Sequence, residues 1–357
     1  MMMMMIMKNQ PKISIIILNW NSWEDTNECL ESLYQIDYLN YEVVVIDNGS
    51  KDDSIKKIKQ YANKAIIPES NFYEHIPNKN PIKIFEYNRE NEDFELDSIV
   101  ESEIEEYASN EKLILIKNQR NDGFPEGCNI GMRYALKKGI NYFLLLNNDT
   151  VVDKQFLNEL IEVAESDSSI GIVGSKILYY YTPDTIQAAG GKIRWLLGDI
   201  ITYGNEKDKG QYDKLTERDY LYGTSLLLKK EVIDKISFMD TSFFFGVEEY
   251  DYCTKAKRAG LKIVYVPSSK VWHKVGASRA KISEDPETAN LVQKTGGSKH
   301  SKYYYNLFKR FGVPYIFIFS YAMFMILRIT GIRDFMNYAS KGDWKTIRNG
   351  IYKRINF

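Results

Sequence analysis

Short apolar runs recur along the first half of the chain, and the residues between them follow a helical spacing instead. Uninterrupted runs of this kind, rich in β-branched residues, are typical of strands that are buried on both faces. The four runs are ISIIIL at residues 13–18, EVVVID at 42–47, LILIK at 113–117 and YFLLL at 142–146. Strands that alternate with helices predict an α/β fold, in which a mostly parallel sheet is flanked by helices.

The second half of the chain is less regular but carries the same two patterns. Helices are predicted at residues 154–165 and 248–260, with Gly260 ending the second one. Further strands are predicted for GIVGSKILY, YGTSLLLKK and KIVYVP, and a polar, glycine-containing stretch covers residues 190–219. We therefore expect a single α/β domain over residues 12–280.

Residues 68–111 interrupt the alternation of strands and helices and are strongly acidic. From Glu86 to Glu111 there are eleven acidic residues and one basic residue, Arg89. A charge run of this kind predicts a solvated insertion, with one surface helix near residues 97–107. A role in binding an acceptor or a partner is the alternative.

The two ends of the chain differ from the domain between them. We expect residues 1–11 to be a disordered tail and not a secretory signal, because their apolar stretch is short and lacks a small-residue cleavage site. Residues 281–357 predict a helical region. Within it, residues 311–327 carry no charge, and the residues after them include seven basic and two acidic side chains.

An apolar helix beside a basic segment predicts peripheral contact with an anionic membrane face. Two alternatives remain open for residues 311–327: packing into a core or against another copy of the chain, and a single membrane span.

Composition adds two exclusions. The 47 Lys and Arg side chains nearly balance the 48 Asp and Glu side chains, so no broad basic surface for nucleic acid is expected. The three cysteines lie far apart and predict neither a disulfide framework nor a zinc cluster. Free cysteines fit a reducing compartment, and we expect a cytoplasmic protein at the inner face of the cell membrane.

Polar residues follow three of the predicted strands, at the sheet edge where α/β folds bind their ligands. They occupy residues 19–22, 47–50 and 147–149, and an acidic cluster at 248–251 and a histidine at 273 follow later. Each group alone has an ordinary explanation as a turn, a helix terminus or a buried histidine. Their combination in this order indicates a ligand site.

A nucleoside diphosphate would use these residues in a consistent way. Asp47, at the end of a buried strand, is placed to accept the N3–H of a uracil or thymine ring, and the backbone at residues 18–20 would hold another edge of the base. Asp149 offers a hard oxygen ligand for the Mg²⁺ or Mn²⁺ that a diphosphate needs. A neutral His273 is an acceptable further ligand.

Six stretches in this order resemble the family 2 glycosyltransferases of the GT-A fold, in particular their rhamnosyltransferase-like branch. The resemblance covers residues 12–50 and 117–274. The stretches are ISIIILNWN, VVVIDNGSKDDS, NDGFPEGCNIGMRYAL, LLLNNDTVVD, YGTSLLLKKEVIDKI and FFFGVEEYDYCTKAKRAGLKIVYVPSSKVWHK.

The resemblance implies a GT-A type, Rossmann-like sheet and an inverting, metal-dependent glycosyltransferase. Such an enzyme would move a sugar from a UDP- or dTDP-linked donor to a hydroxyl of a glycan or of a lipid-linked acceptor. Asp47 would contact the pyrimidine base, Asp149 and His273 would hold Mn²⁺ or Mg²⁺, and Glu249 would be the general base. The remaining candidates for contact with the donor or acceptor are Leu18, Asn19, Trp20, Asn48, Gly123, Asn129, Asn148, Gly223 and Thr224.

Two positions depart from the family pattern. Asn147 stands where the Asp-x-Asp metal motif has its first aspartate, which lowers the charge of the site. Glu249 stands where the family has an aspartate, and its side chain is longer by one methylene, to which positional catalysis is sensitive. Asp251 or Glu248 could therefore take the proton instead.

Two other classes of protein are weighed against this resemblance. A sugar-nucleotide pyrophosphorylase is disfavoured, because NWNSWEDT after the first strand has no glycine for a phosphate loop. A non-catalytic nucleotide-sugar or glycan-binding protein on the same fold is the alternative. The sequence predicts no oligomeric state.

Overall fold

The computed structural model describes residues 10–74, 81–89, 96–194, 199–276 and residue 288. Its helices are α1 (Trp23–Leu33), α2 (Ser54–Ala62), α3 (Ser98–Glu106), α4 (Phe124–Lys137), α5 (Phe156–Ser166), α6 (Lys230–Ile236) and α7 (Glu248–Arg258). Its strands are β1 (Ile13–Asn19), β2 (Tyr41–Asn48), β3 (Lys83–Asn88), β4 (Lys112–Asn118), β5 (Tyr142–Asn147), β6 (Thr150–Val152), β7 (Ile170–Tyr179), β8 (Thr185–Ala188), β9 (Gly191–Arg194), β10 (Asp199–Thr202), β11 (Glu206–Lys207), β12 (Thr216–Glu217), β13 (Ser225–Lys229) and β14 (Lys262–His273).

The four strands that the apolar runs predict lie side by side, in the order β5, β1, β2, β4. All three pairings are parallel, and Ile13 of β1 lies opposite both Tyr41 and Tyr142. Every residue of β2 is buried, as expected for a strand covered on both faces. The predicted α/β class is confirmed, and the carboxyl ends of these strands meet at one edge.

The acidic segment contributes a strand to this sheet. β3 pairs in parallel with β4 at the edge, and Phe85 faces inward with 4% of its surface exposed, while its neighbour Glu86 is exposed. Charge on an edge strand discourages pairing with other chains. The predicted surface helix is present as α3, and its N-cap Asp97 accepts the N–H groups of Ile99 and Val100. Residues 68–111 are therefore partly integral to the sheet, and only in part a surface insertion.

The second half of the sheet is mixed, so the expectation of a mostly parallel sheet is correct only for the first half. β13 runs antiparallel to both β5 and β7. β14 runs parallel to β7 and antiparallel to β6 and β12. The polar stretch 190–219 forms short strands, of which β9 and β10 pair as a separate two-stranded sheet. Residues 193–201 group with 299–357 in a second compact unit, of which little lies in the described ranges.

Three predictions about the chain ends lie outside the described residues. They are the tail, whose residues 1–9 are not described, the helical region at 281–357 apart from residue 288, and the apolar stretch 311–327. In the ranges that are described, no helix is both long enough and apolar enough to cross a membrane. Membrane contact stays a prediction. All three cysteines are buried and free, as the sequence predicts.

α4 approaches β1 unusually closely because two of its residues are glycines. A Cβ on Gly127 would lie 2.3 Å from Cδ2 of Leu18, and one on Gly131 would lie 2.4 Å from Cγ2 of Ile16. Real Cβ atoms do not approach other carbons so closely, so only glycine permits this distance between helix and strand. The contact fixes the start of α4 beside the carboxyl end of β1.

The Gly131→Ala variant tests this packing. Ile16 is fully buried and cannot withdraw, so the added methyl should overpack the interface and lower the free energy of unfolding by about 1–3 kcal/mol. The measurement is the urea midpoint of both proteins. In the double variant Gly131→Ala/Ile16→Ala, which removes the side-chain atoms that the added methyl would meet, the loss should be smaller than the sum of the single losses. Equal stability of Gly131→Ala and the parent chain would contradict the proposed contact.

Candidate active site

The turn after β2 is held together by Asp47. Its Oδ2 accepts hydrogen bonds from Nδ2 of Asn19 at 2.7 Å and from Oγ of Ser50 at 2.7 Å, and its Oδ1 accepts the N–H of Ser50 at 3.0 Å. The register of β1 and β2 places Asn19 directly opposite Asp47. Asp47 is 1% exposed, and the hydrogen bonds explain how a carboxylate is tolerated there. A carboxylate can accept about four hydrogen bonds, so one position on Oδ1 is left for a ligand.

Asn48 connects this turn to the stretch at residues 121–136, which contains three glycines. Its Nδ2 donates to Oδ1 of Asn121 at 2.9 Å and to the carbonyl of Gly123 at 3.2 Å. Gly123 has a φ of +86°, and a Cβ there would lie 2.6 Å from the carbonyl oxygen of Phe244. The same carbonyl accepts the N–H of Phe124 at 2.8 Å. Gly123 is therefore required both by its backbone conformation and by the loop that packs on it.

Asn129 has a supporting position. It is 2% exposed within α4, its Nδ2 donates to the carbonyl of Met239 at 2.9 Å, and its Oδ1 accepts the N–H of Met239 at 3.0 Å. Both polar ends of the side chain thus hold the segment that leads into residues 243–245, three consecutive phenylalanines that we call the phenylalanine loop. The structure therefore places Asn129 behind this loop and away from the residues that line the cleft.

A cleft opens at the carboxyl ends of β1, β2 and β5. Six of the predicted site residues line it, together with four residues of the matching stretches that were not named as site candidates. The predicted six are Leu18, Trp20, Asn48, Gly123, Asn147 and Asn148, and the additional four are Asn121, Phe124, Phe244 and Phe245. Aromatic faces combined with amide side chains suit a flat, polar ring such as a nucleobase.

Asp149 and His273 meet next to this cleft. Oδ1 of Asp149 lies 3.1 Å from Nε2 of His273, and both side chains are largely buried. The contact follows from the sheet, because β14 pairs with β6 so that His273 lies opposite Thr150. The backbone N–H of Lys274 also donates to the carbonyl of Asp149 at 2.9 Å.

Gln187 on β8 contacts the other ring nitrogen of His273, with 2.8 Å between its Oε1 and Nδ1. An amide oxygen only accepts, so Nδ1 carries the proton of this contact. Nε2 faces Oδ1 of Asp149, and an imidazole nitrogen and a carboxylate oxygen are both ligands for divalent cations. The pair therefore suits a bound cation.

Lys274 anchors this corner of the site to α1. Its Nζ lies 2.6 Å from carboxylate oxygens of both Asp25 and Glu28. Burial of Lys274 opposes its charge, but the two carboxylates prevail and raise its pKa above the ordinary value. The ion pairs hold the end of β14, and with it His273, against the helix that follows β1.

The three acidic residues at the start of α7 occupy different environments. Glu248 is 6% exposed, and no residue in the described part of the chain forms a hydrogen bond with its Oε2. Asp251 is 1% exposed and lies 2.8 Å from Nζ of Lys255. Glu249 is partly exposed, and a Cβ built on Gly223 would lie 4.0 Å from the Cβ of Glu249 and 3.7 Å from the ring of Phe124. Glu249 is thus beside the cleft.

The pairing of β5 with β13 brings Gly223 and Thr224 close to the polar residues of the cleft. The carbonyl oxygen of Thr224 accepts the N–H of Asn147 at 3.0 Å. Nδ2 of Asn148 donates to Oγ1 of Thr26 at 2.9 Å, which fixes the residue before Asp149. The candidates Gly223, Thr224 and Asn147–Asp149 therefore lie around one opening.

A model of the family described as glycosyl transferase family 2 matches residues 14–80 and 97–236, more than half of the chain. The chain belongs to glycosyl transferase family 2. The predicted family is confirmed. The unmatched residues 81–96 contain β3 and lie within the acidic segment. The match includes Asp47 and Asp149 and ends before Glu249 and His273.

Two curated proteins are similar to this family 2 chain over about half of its length. The low-salt glycan biosynthesis hexosyltransferase Agl10 of Haloferax volcanii is 25% identical over 171 residues, which are 47% of this chain and 54% of that protein. The dTDP-rhamnosyl transferase RfbF of Shigella flexneri is 24% identical over 182 residues, 49% of this chain and 56% of that protein. The chain therefore spans about half the length of the curated relatives it matches.

Among solved structures, the mannosyltransferase PcManGT from Pyrobaculum calidifontis, in complex with GDP-Man and Mn²⁺, aligns with 97% of this chain and 84% of its own. The TM-score is 0.49 and the sequence identity is 14%.

The burial of Glu248 makes the stability of this family 2 chain depend on pH. Desolvation, with a smaller contribution from the charge of Glu249, raises the pKa of Glu248 well above its ordinary value of 4.5. The folded chain then keeps a proton that the unfolded chain loses as the pH rises above 4.5, so Glu248 lowers the free energy of unfolding progressively with increasing pH.

We expect Glu248→Gln, which removes this titration, to gain stability relative to the parent chain as the pH rises from about 5 to about 8. The measurement is the urea midpoint of both proteins at several pH values. The control is Gln155→Leu at an exposed side chain that does not titrate, for which the difference should not vary with pH. A constant difference for Glu248→Gln would contradict the assigned burial.

Proposed function

We propose that this family 2 glycosyltransferase moves a hexosyl or deoxyhexosyl group from a UDP- or dTDP-linked donor to a hydroxyl of a glycan or lipid-linked acceptor, with inversion. The observation that carries the proposal is the 3.1 Å contact of Asp149 with His273 beside a cleft of amide and aromatic side chains. The names of the relatives, a dTDP-rhamnosyl transferase and a glycan hexosyltransferase, support the same donor and acceptor classes.

The residues present fit a divalent cation. Two ligand atoms at adjacent corners of an octahedron with bonds of about 2.1 Å lie about 3.0 Å apart, close to the separation of Oδ1 and Nε2. The described residues contain no group of three or more His, Cys, Asp or Glu side chains that could hold a metal. Asp149 and His273 would therefore hold Mn²⁺ or Mg²⁺ jointly with donor phosphates and water, as Mg²⁺ commonly binds in phosphate-transfer sites.

The cleft supplies the contacts that a nucleotide needs. Trp20, Phe124 and Phe244 offer apolar faces for the base and ribose, and the remaining acceptor position of Asp47 suits the N3–H of uracil or thymine. The amide groups of Asn147 and Asn148 lie between this cleft and Asp149, where the diphosphate would lie. Replacement of an aspartate by Asn147 lowers the negative charge that faces the phosphates.

Glu249 is the best placed of the three acidic residues to act as base. Glu248 keeps its proton because it is buried, and Asp251 is buried and paired with Lys255. Glu249 is partly exposed and lies beside Gly223. At the first turn of α7 the helix dipole favours its ionised form.

The chemistry follows from these positions. The acceptor oxygen bonds to the anomeric carbon while the bond from that carbon to the diphosphate oxygen breaks on the opposite face. A hydroxyl is a poor nucleophile near neutral pH, so Glu249 takes its proton as the new bond forms. Asp149 and His273 would hold a divalent cation, which would supply positive charge beside the departing diphosphate. The phenylalanine loop, residues 243–245, excludes water from the donor.

Replacing Glu249, the proposed base, should lower the turnover rate and leave the affinity for donor nearly unchanged. We expect Glu249→Gln to lower the rate of nucleoside diphosphate release in the presence of acceptor by about 100- to 10,000-fold, because the hydroxyl proton loses its acceptor. The affinity for donor, measured by calorimetry, should change by less than about threefold.

The control for this experiment is Glu248→Gln, whose neutral side chain matches the protonated glutamate and should leave turnover nearly unchanged. Wild-type turnover by Glu249→Gln would refute the assignment of the base. Donor binding without turnover in the parent chain, over a broad screen of acceptors, would favour the non-catalytic alternative.

Gln187 should contribute to cation binding without touching the cation. Asp149→Ala and His273→Ala each remove a proposed ligand and should abolish Mn²⁺ binding in the presence of UDP. Gln187→Leu leaves both ligands but no longer orients the imidazole, and should weaken Mn²⁺ binding by about 10- to 100-fold. The measurement is the free Mn²⁺ signal in electron paramagnetic resonance. The exposed Gln155→Leu is the control, and equal affinities of Gln187→Leu and Gln155→Leu would exclude the orienting role.

A further inference from the structure

A second cavity, of about 810 Å³, lies on the outer face of α4. We call it the arginine cavity, and it is separate from the cleft described above. The charged side chains that line it are Arg89, Arg120, Arg133, Lys137, Asp122 and Glu126. The three arginines come from the end of β3, from the turn after β4 and from α4.

Ion pairs organise the arginines but do not neutralise them. Arg89 lies 2.8 Å from Glu126 and 3.2 Å from Asp122. Arg133 lies 2.5 Å from the same Glu126, and Arg120 lies 2.6 Å from the same Asp122. The three arginines share two carboxylates in these ion pairs, and the formal charges of the described residues that line the cavity sum to +2.

Arg89 carries a donor that no other described residue uses. Its side chain is 9% exposed, and within the described ranges its Nε has no hydrogen-bond partner. A guanidinium N–H that is removed from water without an acceptor is costly, and buried polar groups are nearly always paired. A network that only fixed α4 to the sheet would need neither the surplus charge nor this unpaired donor.

We propose that the arginine cavity binds an oxyanion group, a phosphate or a carboxylate. Arginine forms planar, paired hydrogen bonds with such groups, and several arginines with fixed orientations bind them better than flexible lysines. Asp122 and Glu126 hold the guanidinium groups in place, so that less conformational entropy is lost when the anion binds.

The location of the cavity indicates which molecule brings the anion. Two chain segments form walls of both the arginine cavity and the donor cleft. The turn after β4 contributes Asp122 to the cavity and Gly123 to the cleft, and the loop before α7 contributes Thr241 to the cavity and Phe244 to the cleft. A negatively charged group of the acceptor is therefore the proposed occupant, an identification that rests on the proposed transferase function.

Calorimetric titration of the full chain with inorganic phosphate and with glucuronate tests the proposal. Saturating UDP and Mn²⁺ are present, so that the donor cleft is already filled. We expect at least one anion to bind with a Kd in the millimolar range or below. Binding of phosphate alone would identify a phosphorylated acceptor, and binding of glucuronate alone would identify an acidic sugar. Failure of UDP to bind would count against the proposed function, while the titrations without UDP would still report on the cavity.

The variants place the anion in the cavity. Thr241 is exposed and lines it, so Thr241→Glu adds a negative charge without removing any ion pair and should weaken anion binding by about tenfold or more. Thr241→Gln is the uncharged control and should bind as the parent chain does. Arg120→Gln, at a side chain that is 83% exposed, should weaken binding by about three- to tenfold without disturbing the fold.

Circular dichroism checks that each variant is folded. Two outcomes would overturn the proposal: no binding of either anion to the parent chain at about 10 mM, or equal affinity of the Thr241→Glu and Thr241→Gln variants.

Discussion

The register of β14 is the constraint on which the proposed site depends. β14 lies between β7 and β6, and its pairing with β6 sets His273 opposite Thr150, so that the imidazole reaches the carboxylate of Asp149. Side chains alternate between the faces of a strand, and a shift of one residue would turn His273 to the other face. The irregularity after Val266 is confined to the middle of the strand, and the paired residues beyond it are regular up to His273.

α4 fixes the positions of the residues on the other wall of the cleft. Its glycines bring it onto β1, its first residue binds the backbone of Phe244, and Asn129 holds Met239 at the start of the same loop. The polar tips of the strands and the aromatic loop are thereby fixed to one helix. His273, proposed to hold the cation, is the last residue of β14, and Glu249, proposed to remove the proton, lies on α7, which packs against β14.

Much of this arrangement could be predicted from the sequence, for physical reasons. Strands buried on both faces are uninterrupted apolar runs, and for that reason β1, β2, β4 and β5 were recognisable. β3 was not, because its charged residues Lys83 and Glu86 leave no uninterrupted apolar run around the buried Phe85. The resemblance of motifs placed Asp149 with His273. It could not indicate that Gln187 contacts the imidazole or that Asn129 supports a loop, since such contacts join residues far apart in the sequence.

The shared walls of the donor cleft and the arginine cavity have a thermodynamic consequence. Gly123 follows Asp122 directly, and Phe244 follows Thr241 by three residues, so a ligand that displaces either segment changes both binding sites. Linkage is reciprocal. If an anion in the cavity raises the affinity for the sugar nucleotide, then the sugar nucleotide raises the affinity for the anion by the same factor. The population of the doubly occupied state would then depend on the two concentrations and affinities and on the coupling factor, and not on which ligand binds first.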